Sequence, residues 1–112
     1  MMLVRSLPGL FAGLVVVIVI PNAALADEWQ YCIAPNHQEH TIYMSGTFRS
    51  LAPGTADSSF EKVLNRTGLR YDVVQCPRAD NETAIMDMMQ YAVTYNKRGG
   101  NKIIYVDWRP DS

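Results

Sequence analysis

The sequence predicts an α+β fold: a single small domain with a four-stranded sheet, two helices on one face, chain order ββαβαβ, and one disulfide. Three observations carry this. Short β-prone runs alternate with two stretches of helical periodicity that have recognisable end signals. The two cysteines, Cys32 and Cys76, form a single possible pair. The part of the chain that remains after an amino-terminal export segment holds one modest core and no more.

That export segment comes first. A short start with one charge, Arg5, leads into an apolar stretch from Leu10 to Ile20, followed by Pro21-Asn22 and then Ala24-Leu25-Ala26. This order is that of a secretory signal peptide cut after Ala26. A membrane span needs about 20 apolar residues in a row, and Pro21 and Asn22 interrupt this run. Residues 1–26 are therefore expected to be a cleaved signal and residues 27–112 the domain, periplasmic or secreted. The 86 residues left carry nine basic and eleven acidic side chains, scattered along the chain. Nucleic acid needs a clustered basic surface, so it is not an expected partner, and membrane contact ends with the signal.

In an exported domain of this size an even cysteine count implies a bridge, so Cys32–Cys76 is the expected disulfide. A redox-active pair usually has a Cys-x-x-Cys spacing, which is absent. A bridge requires the two Cα atoms to lie within about 7 Å, so the first and third strands are expected to be adjacent or nearly so.

Trp29, Tyr31 and Ile33 alternate with Gln30 and Cys32, the period of a strand, and Ala34-Pro35-Asn36 is read as its end. Thr41-Ile42-Tyr43-Met44 returns as the second arm of a hairpin. Ser58 and Glu61 fit a capping box, Phe60, Val63 and Leu64 form an apolar stripe, and Gly68 suits a left-handed carboxy-terminal cap, predicting a helix over 59–67. Tyr71 to Cys76 reads as a strand stopped by Pro77. A second helix starts after Asp80 and ends at Arg98 before Gly99-Gly100, with Ile85, Met88, Met89, Ala92 and Val93 as its buried face. Ile103-Ile104-Tyr105-Val106 is continuously apolar and is expected in the middle of the sheet, covered on both faces.

Candidate chemistry is sparse. His37-Gln38-Glu39-His40 holds both histidines of the chain, and His37 and His40 could share Zn²⁺ or Cu²⁺ if the loop curls. The competing reading is a solvated hairpin loop, since no third or fourth ligand is evident. Met86, Met88 and Met89 invite a Cu(I) reading, but they do not share one side of a helix, and methionine is a common core filler. Tyrosines at 31, 43, 71, 91, 95 and 105 serve either a core or a binding surface. A small hydrolase or nuclease could use His40 as base with Glu61 or Asp72 as its partner and Arg70 or Arg78 as the electrostatic group, though no spacing selects them. No serine elbow, phosphate loop or dinucleotide fingerprint is present, so no catalytic residue and no cofactor is assigned. Asn65 and Asn81 begin glycosylation sequons whose use depends on the host. The reading that remains is a non-catalytic interaction module for a protein or a cell-envelope component, with a metal carrier built on His37 and His40 as the alternative.

Overall fold

The computed structural model describes residues 28–110; the expected signal peptide lies outside them. The elements are β1 (Trp29–Gln30), β2 (Ile33–Asn36), β3 (Thr41–Met44), β4 (Phe48–Arg49), α1 (Thr55–Arg66), β5 (Arg78–Ala79), α2 (Glu82–Arg98) and β6 (Lys102–Tyr105). They form a small α+β domain with two three-stranded sheets, ordered β4-β1-β5 and β2-β3-β6. The expected single sheet of four strands is thus divided in two.

The division follows from two local interruptions. Pairs Trp29↔Ala79, Gln30↔Arg78 and the isolated bridge Ile33↔Gln75 all keep one antiparallel register. In that register Cys32 faces Cys76 and Tyr31 faces Pro77, which has no N–H to offer, so the ladder breaks there. On the other side, Ser45 N–H donates to Cys32 C=O at 2.9 Å, whereas Gln30 pairs with Phe48. Tyr31 therefore opposes both Gly46 and Thr47, a bulge. The extra residue puts Tyr43 and Phe48 in the same core cluster although they are five positions apart.

The predicted strand over 71–76 is reduced to the one bridge at Gln75. Its continuation along β2 meets Pro35, which accepts a 2.7 Å bond from Asp72 N–H where a regular register would present Val73. The lost donor and the one-residue slip end the pairing, and Val73 is left exposed. The ladder resumes beyond Pro77, where no strand was expected. Likewise, Pro35 does not end the first strand, because its nitrogen faces this thinly paired margin instead of β3.

α1 begins one turn earlier than the apolar pattern from Phe60 suggested, because buried Ala56 extends the stripe with Phe60, Val63 and Leu64. Its N-cap is Gly54, and no side chain caps it, so the expected Ser58–Glu61 box is not formed. The carboxy-terminal end is as read: Gly68 has φ 74°, and Leu69 and Gly68 N–H groups bond Leu64 and Asn65 carbonyls in a Schellman motif. α2 also matches its expected span, with the Asn81 side chain accepting from Ala84 N–H. Met88 is exposed instead of buried, and Met89 packs inward.

The helices lie on opposite faces, not on one. Ala56, Phe60 and Leu64 of α1 pack with Cys32, Ala34, Tyr43 and Phe48. Ile85 and Val93 of α2 pack with Tyr31, Ile42 and Met44, which alternate with the first set. Connection handedness explains the arrangement. The step from β4 through α1 to β5 crosses β1 in one direction, and the step from β5 through α2 to β6 crosses back. Two right-handed crossovers running in opposite directions must use opposite faces.

Consequently β3 is the strand covered on both sides, with all four residues buried. β6, expected at the centre, is an outer strand parallel to β3, with Lys102, Ile104 and Tyr105 exposed. Trp108, just beyond it, closes the α1 side by packing its ring 5.2 Å from that of Phe60 and 5.6 Å from that of Phe48.

Candidate functional site

The tip of the β2–β3 hairpin is held in a defined shape. Asn36 Oδ1 accepts from Glu39 N–H, His40 adopts φ 50°, and its C=O accepts from Lys102 N–H. The tip is also tied to the segment after α1. Asn36 Nδ2 donates to Arg70 C=O at 3.0 Å, and the Arg70 guanidinium reaches Glu39 at 3.4 Å.

Asp72 receives two bonds from His37, one from its backbone N–H at 2.9 Å and one at Nδ1. The backbone bond first and the ring bond second hold the Asp72 carboxyl below its ordinary range; desolvation opposes them, and the imidazole's charge adds the least. The bond at Nδ1 leaves Nε2 of His37 directed elsewhere, the arrangement seen when a carboxylate orients a metal-binding imidazole. Even so, no group of three or more His, Cys, Asp or Glu side chains suited to a metal is gathered among the described residues.

Three of the catalytic candidates suggested by the sequence have other partners. Asp72 pairs with His37 instead of His40, Arg70 pairs with Glu39, and Arg78 donates to the Leu51 carbonyl. With its side chains 78% and 48% exposed, the His37–Asp72 pair has no water-excluding surroundings. The pairing of residues 35 positions apart had no sequence signal.

The tyrosines divide into two groups. Tyr31 and Tyr43 are buried, the Tyr31 phenol being pushed up by desolvation, and Tyr71 bonds Asn65 Oδ1 at 2.9 Å. Tyr91, Tyr95 and Tyr105 are exposed. On α2, Tyr91 and Tyr95 stack with centroids 6.3 Å apart while remaining 72% and 66% exposed. With Asp87, Gln90, Thr94 and Arg98 they line a shallow recess along the outer side of the helix. Met88 adjoins this stripe on the helical wheel, and the exposed Met86 is on the opposite flank. The four-residue spacing of the two tyrosines was legible; that their rings face water was not.

Both sequon asparagines have structural partners, Asn65 with Tyr71 and Asn81 as the α2 cap. No helix among the described residues is long and apolar enough to cross a membrane. No protein-family model, no curated protein and no solved structure matches this chain.

Proposed function

We propose that the protein is an exported, non-catalytic interaction module that recognises a protein partner through the Tyr91–Tyr95 face of α2. The observation that carries this reading is the stacked, water-facing pair itself. Two large aromatic rings are held side by side by one rigid helix, so little side-chain entropy is lost on docking, and each keeps a hydroxyl at its tip. Asp87, Gln90, Thr94 and Arg98 supply the polar rim that a reversible interface needs. Export fits a disulfide between Cys32 and Cys76 in so small a domain.

A photo-crosslinking amino acid placed at Tyr91 in the producing cell tests the reading, with Glu61 on the exposed side of α1 as the comparison. One discrete adduct from position 91, absent from position 61, is the expected result. Equal labelling from both positions, or a turnover activity abolished by a single polar substitution, would refute it.

A second reading, transfer or sensing of Zn²⁺ or Cu²⁺, is favoured by one observation: Asp72 orients His37 as a carboxylate does for a ligating imidazole. In this reading His37 and His40 bind the ion between the protein and a second donor, since two imidazoles alone leave coordination positions open. Calorimetric titration of the two metals into the protein and into the His37→Ala, His40→Ala double variant decides it. Equal affinities remove it.

A further inference from the structure

Independently of what α2 recognises, we propose that β6 pairs antiparallel with β6 of a second copy of this chain, joining two domains edge to edge. Lys102 N–H donates to His40 C=O and Val106 N–H to Met44 C=O, at 2.8 and 2.7 Å. Residues 102, 104 and 106 therefore turn their backbone polar groups toward β3. Ile103 and Tyr105 turn theirs outward, and no other described strand meets them.

A two-fold axis perpendicular to the sheet keeps like faces together, so only residues of equal parity can stand opposite one another. Centring that axis on Ile104 satisfies this and the hydrogen bonds at once. Ile103 of each copy then faces Tyr105 of the other, each pair exchanging two N–H···O=C bonds. The two Ile104 side chains meet at the axis on the α1 side. This gives an exposed isoleucine an apolar neighbour.

Charge favours a second copy over an unrelated strand. Asp107 follows the pairing segment at one end, and Lys97 and Arg98 in the last turn of α2 lie near the other end, where Asn101 bonds back to Asn96. In the proposed register Asp107 of one copy stands opposite Asn101 of the other. It emerges on the α2 side, since 107 shares the parity of Ile103, which packs against α2. Each acidic end therefore meets the other copy's basic helix end, twice by symmetry.

Sedimentation equilibrium of the mature chain, from micromolar to millimolar, is combined with amide hydrogen exchange at both extremes. A concentration-dependent dimer is expected, with the Ile103 and Tyr105 amides slowed only when it forms. Ile104→Glu, which sets two carboxylates face to face at the axis, should weaken it by about tenfold or more; Met86→Glu, at an exposed position outside the pairing strand, should not. Asp107→Lys should weaken it and Lys97→Asp with Arg98→Asp should restore it. A monomer at millimolar concentration overturns the proposal. So does a dimer that leaves both amides fast, that ignores Ile104→Glu, or whose edge amides slow only on addition of an unrelated extended peptide. A monomer that still gives the Tyr91 crosslink loses this inference alone.

Discussion

Cys32 and Cys76 stand directly opposite one another in the antiparallel register set by Gln30↔Arg78 and Ile33↔Gln75, with 4.0 Å between their Cα atoms. They occupy the gap where the β1 and β2 ladders part, so a covalent link stands beside the place where Pro77 has no N–H to give to the ladder. Cys32 is fully buried among Ala34, Phe60 and Leu64, which places the bridge inside the α1-side core.

Replacing both cysteines by alanine should therefore cost about 4 kcal/mol, the chain-entropy value for a closed loop of this length. Urea denaturation of the double variant against the oxidised protein measures it. A loss under about 1 kcal/mol would mean that packing alone holds the joint closed.

Asp72 predicts a specific acid response. Its carboxyl is lower in the folded chain than in the unfolded one, so its contribution is complete above the unfolded value of about 4 and is lost as pH falls through the folded value. Asp72→Asn should flatten the fall in stability below about pH 4 and leave the neutral range parallel to the parent. His37→Ala removes the ring but keeps the backbone N–H, the larger cause, so carbon-detected NMR titration should show Asp72 rising only part of the way to its ordinary value. A full return would show that the ring dominates.

Phe60 is completely buried and touches Trp108. Phe60→Ala should cost about 3–5 kcal/mol by guanidinium unfolding. It should also shift Trp108 emission to the red, because the indole loses a ring neighbour. Unchanged emission would mean that Trp108 is held by Phe48 alone.

Asn81 should behave as an ordinary cap. Asn81→Ala leaves the Ala84 N–H without its acceptor and should lower stability by about 1 kcal/mol in thermal unfolding analysed at the midpoint. Asn81→Asp should retain nearly all of it. A glycan installed at Asn81 would compete with this cap.

The helices and the hairpin were legible because their signals are local: Gly68 and Gly99-Gly100 as ends, a start after Asp80 with Glu82 in the first turn, and a four-residue loop between β-prone arms. The Asn81 cap itself was not read. The faces and edges were not, because they depend on crossover direction, which no residue encodes singly. The apolar run at 103–106 illustrates the limit: its composition suits a buried strand, yet connection geometry sends it to the margin. Similarly, Ala56 was too small to be counted in an apolar stripe, and His37 could be seen without Asp72. The Tyr91–Tyr95 spacing was visible, but its exposure depended on which side of α2 the sheet occupied.

The parallel pairing of β3 with β6 has a kinetic consequence. Thr41 meets Lys102 only after all of α1 and α2 have been spanned, whereas Thr41 meets Asn36 across a short turn. Folding should accordingly begin at the hairpin and be limited by the search of the late strand for its place, a slow, high-contact-order step. Until that search ends, β3 has one bare margin in every molecule, and the oxidised Cys32–Cys76 loop shortens the distance left to explore.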